Sequence, residues 1–189
     1  IEKLSDHLTE LADTLVQETL PLVWGKIKKR HRDAPKFAVI GYGKMGGKEL
    51  GYSSDLDMVY LYDDDDQDAQ ENYTRLAQRL NTWLSSQTSA GILFETDLRL
   101  RPNGDAGLLA VTVDAFRDYQ LKNAWTWEHQ ALTRARFCAG DPEVGQRFEA
   151  IRCEILRQPR DLEKLREEVV AMRQKMITAH AQNDPVLFG

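Results

Sequence analysis

An α+β fold, with a small mixed sheet packed by helices and followed by a helical region, is what the 189-residue sequence predicts. Three observations carry this. Short apolar runs bounded by glycine or proline read as strands at Phe37–Ile40, from Asp55 onward, at 92–102 and at 108–111. Helical patterns lie before, between and after these runs instead of alternating with each of them. Beyond 111 the apolar patterns read as helical up to the terminal PVLFG, which reads as extended. The expected organisation is a sheet-bearing core with a leading helix over 1–122 and a helical region over 123–189.

Composition bounds the rest. An apolar content of 42% with 29% charged residues fits a globular domain with one good core. No apolar run approaches the roughly 20 residues that cross a bilayer, and the start carries no secretory pattern, so a cytoplasmic protein without a membrane role is expected. A net charge of −5 argues against general nucleic-acid binding. Cys138 and Cys153 show no metal-ligand spacing and read as reduced, packed thiols in a helical stretch. The chain begins in a helical pattern and stops at PVLFG, which suggests a piece of a longer protein.

Taken in order, Leu4, Leu8, Leu11 and Leu15 recur at helical spacing toward Val23 and Trp24, with Pro21 as a kink. The basic cluster from Lys26 to Arg32 reads as a solvated helix end. The near-continuous apolar run Phe37–Ile40 reads as a buried strand. A glycine-rich turn follows, then a short helix and a second strand. The acidic run DDDDQD at 63–68 reads as solvated. Tyr73, Leu76, Ala77, Leu80, Trp83 and Leu84 predict an amphipathic helix. ILFETDLRLRP reads as a third strand closed by Pro102; NGDAG is a turn, LLAV a short strand, and Thr112 or Asp114 caps a helix through Tyr119. Residues 123–137 predict another helix. Asp141 and Pro142 start a helix carrying Val144, Phe148, Ile151 and Ile155, and a last helix carries Leu162, Leu165, Val169, Met172 and Met176 as core.

The chemistry concentrates at two strands. Asp55 and Asp57, one residue apart, share a face, and so close a pair of carboxylates calls for a hard divalent cation such as Mg²⁺ between them. The glycine turn upstream offers backbone N–H groups to phosphate. On the third strand Glu95, Asp97, Arg99 and Arg101 alternate onto one face. That face is either the exposed side of an antiparallel sheet or the floor of an anionic-substrate site, and the arginines favour the second reading.

Asp-x-Asp on one strand, a third carboxylate on a neighbour and a glycine turn before them resemble the DNA polymerase β-like nucleotidyltransferases. Gly43-Lys44 stands at the spacing of their phosphate signature, with Lys44 where serine is usual. GYGKMGGKELGYSSDLD, FETDLRLRPNGDAGLL and NAWTWEHQALTRAR resemble more closely the glutamine synthetase adenylyltransferases, two-headed enzymes that add AMP to a tyrosine of glutamine synthetase and remove it. The resemblance covers nearly the whole chain, and KELGYSSDLD and AWTWEHQAL look like the adenylylating half.

It implies ATP as substrate, glutamine synthetase as protein partner, and regulation by PII-type signal proteins in the intact enzyme. Asp55, Asp57 and Asp97 are then expected to hold two Mg²⁺ ions, with Mn²⁺ as the alternative, and Asp97 to serve as base. Gly43, Lys44, Gly46, Gly47, Ser53 and Ser54 are expected to line the phosphates, although Gly46 and Gly47 also read as the opening of the short helix. Arg99 and Arg101 would neutralise the triphosphate or anchor the acceptor protein, and Glu95 would orient an arginine or bind metal. Rival readings are phosphorolysis in a deadenylylating half, nucleotide transfer to RNA or an antibiotic, and a non-catalytic regulatory module.

Overall fold

The computed structural model describes residues 2–89 and 91–183. Its centre is strand β1 (Phe37–Gly41), paired antiparallel on one side with β2 (Leu56–Tyr62) and on the other with β7 (Arg136–Gly140). The start of β2 pairs in parallel with the short β5 (Thr96–Asp97), and its end with β6 (Ala110–Thr112). A separate small hairpin joins β3 (Gln87–Thr88) to β4 (Gly91–Ile92). The mixed α+β fold expected from the sequence is therefore present.

Both faces of this sheet are covered, which explains why β1 and β2 read as continuous apolar runs. On one face Phe37, Val39, Met58, Tyr60 and Tyr62 pack against helices α1 (Glu2–Gly25) and α3 (Ala69–Ser85). On the other, Ala38, Ile40, Val59 and Leu61 meet α4 (Val113–Lys122) and α6 (Pro142–Leu156). Alternation along β2 puts Asp57 on the Val59 and Leu61 side, just past the covered part of that face. The helix starts obey simple chemistry. Thr112 Oγ1 accepts from the Ala115 N–H at 3.1 Å to open α4, and Asp141 accepts from Glu143 and Val144 ahead of Pro142 in α6.

Several expectations change. The buried stripe of α1 runs through Ala12, Val16, Leu20 and Val23, whereas Leu4 and Leu11 are exposed, because the sheet takes a stripe offset from the leucine ladder. The helix continues through Pro21. The strand predicted over 92–102 is only two residues long at Thr96–Asp97, and the chain beyond turns into a 3₁₀ segment at Gly104–Ala106. The helix predicted over 123–137 stops at Leu132 as α5 (Thr126–Leu132), and the following residues form β7, so the sheet extends past 111. Gly140, at φ +106°, lies so close to β1 that a Cβ there would meet the Phe37 carbonyl oxygen at 2.1 Å.

Cys138 accordingly sits in β7, half-buried, with burial pushing its thiol up to about 12, while Cys153 is exposed on α6 instead of packed. The last helix, α7 (Leu162–Asn183), packs against α5, leaving Leu162 and Met176 in solvent and Leu165, Val169 and Met172 only half-buried, so none of the five belongs to the buried core. The terminal PVLFG lies outside the described residues.

The acidic run is not uniformly solvated either. Asp64 accepts hydrogen bonds from His31 Nε2 at 2.9 Å, Arg32 Nη1 at 2.7 Å and the Tyr73 hydroxyl at 2.7 Å. Burial alone would raise its pKa, but these bonds outweigh that effect and hold the carboxyl well below the usual range. His31 Nδ1 faces the Asn72 amide at 3.0 Å. The end of the basic cluster is thus a buried joint between the loop after α1 and the end of β2.

Candidate active site

Between β1 and β2 the chain makes a tight turn whose centre is Gly43, at φ +50°, opening the single-turn helix α2 (Gly43–Gly46). A side chain is excluded there twice over: the backbone is left-handed, and a Cβ would lie 2.1 Å from Asp57 Oδ2. The Tyr42 N–H donates to the Asp57 carbonyl at 2.9 Å, which fixes the turn beside the first residues of β2. Parallel pairing sets Asp57 opposite Asp97, and the Leu56 N–H donates to the Glu95 carbonyl at 2.9 Å. The result is that one carboxylate oxygen from each of Asp55, Asp57 and Asp97 falls within a span of 4.8 Å.

Like charges this close are costly. The Asp57 carboxyl is pushed above the usual carboxylate range, first by burial and then by Asp55 and Asp97, with Lys44 and Arg99 offsetting part of the effect. Asp97 moves the other way because Arg99 bonds to it. The Arg99 side chain reaches Oδ1 and Oδ2 through Nε at 3.0 and 2.9 Å and Oδ2 through Nη2, and its backbone N–H donates to Oδ1 at 2.8 Å. Three half-buried carboxylates, the central one pushed up by burial and by its two neighbours, form an all-oxygen donor set, which suits a hard divalent cation such as Mg²⁺ or Mn²⁺.

The other predicted residues divide. Lys44 is exposed at the turn and acts on Asp57 electrostatically. Gly46 closes α2 instead of opening a helix, and Gly47 caps it. Gly46 must be glycine for packing, since a Cβ there would meet the Arg134 carbonyl oxygen at 1.9 Å, whereas a Cβ on Gly47 would meet only the movable ends of the Arg134 and Glu49 side chains, at 3.0–3.1 Å. Ser54 Oγ accepts from the Gly51 N–H at 2.9 Å, and Ser53 is exposed. Arg101 is buried, donates from Nη1 to the Leu98 carbonyl at 2.7 Å and sits 3.5 Å from Asp105, so it ties down the turn after β5. Arg99 alone of the two arginines reaches the triad.

An open depression of about 430 Å³ lies over this edge, lined by Asp55, Asn81, Glu95, Asp97, Arg99 and Arg101. Asn81, on α3, accepts from the Thr96 hydroxyl and so props β5. Sequence reasoning missed it. A polar residue on a helix carries no sign that it faces a strand end rather than water.

A family model described as glutamate-ammonia ligase adenylyltransferase matches residues 1–151. The chain belongs to this family. It is 68% identical over 181 residues to the bifunctional glutamine synthetase adenylyltransferase/adenylyl-removing enzyme of Aromatoleum aromaticum, covering 96% of this chain and 19% of that protein. The enzyme of the same name from Nitrosomonas europaea is 61% identical over 186 residues, covering 98% of this chain and 20% of its own length. That from Neisseria meningitidis serogroup A is 58% identical over 184 residues, with coverages of 97% and 20%. The chain thus spans about a fifth of the length of the curated relatives it matches.

Proposed function

We propose that this chain is the nucleotidyltransferase unit that moves AMP from ATP to a tyrosine hydroxyl of glutamine synthetase, in the adenylylating half of a two-headed enzyme. The phenolic oxygen attacks the α-phosphorus, the bond to the bridging oxygen breaks, and pyrophosphate leaves. The observation that carries the reading is the meeting of Asp55, Asp57 and Asp97 beside the Gly43 turn in a chain of this family. PII-type signal proteins belong to the same reading, as regulators of the intact enzyme.

Asp55, Asp57 and Asp97 would hold two Mg²⁺ ions, which when bound supply charge neutralisation to the phosphoryl oxygens and acidify the attacking hydroxyl. The chain's own residues do the rest. The Gly43 turn brings backbone and Lys44 charge to the side of Asp57 where a triphosphate would lie. Arg99, mostly exposed and now forked onto Asp97, would offer the same fork to phosphate oxygens. Asp97, once its oxygens are free of Arg99, is placed to accept the tyrosine proton, which a free phenol with a pKa of about 10 gives up poorly near neutral pH.

The test is transfer of labelled AMP from ATP to purified glutamine synthetase. Asp97→Asn is expected to lower the rate by about 10²-fold or more with an unchanged circular dichroism spectrum. A near-normal rate would remove Asp97 from the chemistry.

The relatives' names also carry adenylyl removal, which favours one second reading. Phosphate would attack the adenylyl phosphorus, releasing tyrosine and forming ADP. Incubating adenylylated glutamine synthetase with phosphate separates the two, since ADP formation in place of AMP transfer from ATP would assign the chain to the removing half.

A further inference from the structure

The Arg99–Asp97 pair is lopsided in a way that points to a role beyond charge neutralisation. The Asp97 side chain is 15% exposed and Arg99's is 74% exposed, so the guanidinium reaches down from solvent onto a carboxylate seated at the sheet edge. Its Nε and Nη2 engage both oxygens of the one carboxylate that Asp55 and Asp57 need to complete the cluster. The orientation of Asp97 does not depend on that side chain, because the Arg99 backbone N–H donates to Oδ1 and the strand pairing with Asp57 holds the main chain. Arg101, two residues on, shows the contrast: it is buried and bonded to the Leu98 carbonyl, and it is not free to move.

We propose that Arg99 is a positioning latch that couples metal binding to nucleotide binding. Without nucleotide, the guanidinium competes with a divalent cation for Asp97. When a triphosphate enters the depression, Arg99 exchanges the carboxylate for phosphate oxygens, which offer the same planar, bidentate match and more negative charge. Asp97 is thereby released to the cation at the moment the nucleotide arrives. Leaving costs Arg99 little, since the side chain is already mostly in water and the pair it abandons is of the weakly stabilising, solvent-screened kind. The inference rests on the reading above that the three aspartates hold a divalent cation.

Mn²⁺ binding to the full chain, measured by electron paramagnetic resonance or calorimetry without nucleotide, tests the latch directly. Arg99→Ala and Arg99→Gln should each bind Mn²⁺ roughly fivefold or more tightly than the unmodified chain, because one competitor and one like charge are removed. The same variants should bind α,β-methylene-ATP with Mg²⁺ several-fold more weakly. A merely structural role predicts loss of both affinities, so a gain in one with a loss in the other is diagnostic. Unchanged or weakened Mn²⁺ affinity overturns the latch, as does tightened Mn²⁺ with unchanged nucleotide affinity. Asp57→Asn keeps the two readings apart: if it does not weaken Mn²⁺ binding, the triad is not the cation site and both fall, whereas if it does and the Arg99 variants bind like the unmodified chain, only the latch fails.

Discussion

Gly43 and Asp57 show how closely single residues determine this site. The left-handed turn at Gly43 and the Asp57 carboxylate occupy adjoining space, so any side chain at 43 would push into the carboxylate as well as strain the backbone. Asp57 is itself held at a cost. Its raised pKa means that the folded chain binds the proton more tightly than the unfolded chain, so between the unfolded and folded pKa values stability falls as pH rises. Asp57→Asn is therefore expected to stabilise the metal-free protein at pH 7, and to give no such gain at pH 3, where both states are protonated. Urea unfolding at the two pH values measures this. Loss of function with a gain in stability would mark the carboxylate as kept for chemistry.

Among the elements, the Asp64 joint has the opposite sign. Its pKa is depressed in the fold, so its contribution is present above the unfolded carboxylate value and is lost as pH falls through the folded one. With four donors, the Asp66 N–H included, on a side chain 9% exposed, Asp64→Ala is expected to cost about 2–4 kcal/mol at pH 7, leaving His31 and Tyr73 without this acceptor. The difference from the unmodified chain should shrink in acid, which denaturant melts across pH would reveal.

The elements also show what the sequence made legible. Asp55 and Asp57 share a face because strand side chains alternate, and no tertiary information is needed for that. The same rule, extended to Glu95, Asp97, Arg99 and Arg101, fails after Asp97 because the chain leaves the sheet, and Arg101 turns inward to backbone carbonyls. Strand β7 carries no clear strand signal for a related reason: its pairing with β1 shifts register between Val39 and Ile40, so Phe137 packs with one core and Ala139 with the other, and a short run without strict alternation also fits the helical period.

At the scale of the molecule, the sheet draws strands from both ends of the chain. β1 is covered by β7 at its edge and by Val144, Phe148 and Ile151 of α6 on its face, whereas α7 adds contacts mainly to α5. A chain ending at Gln158 is therefore expected to keep a cooperative thermal transition, and one ending at Lys122 to lose it, since the buried face of Ile40, Leu61 and Phe116 would open to water. Circular dichroism melts of the two truncations would check this.

By itself the sequence determined the local pieces: the buried strands, the cap at Asp141, the shared face of Asp55 and Asp57, and the motifs that resemble the family. These depend on periods and residue chemistry within a few positions. Only the tertiary structure decided that Asp97 pairs in register with Asp57, that Arg99 and not Arg101 lies on the triad, that Gly46 is a packing glycine, and that Asp64 is buried. Those outcomes follow from which edges meet and what each contact excludes, and such facts belong to no segment alone.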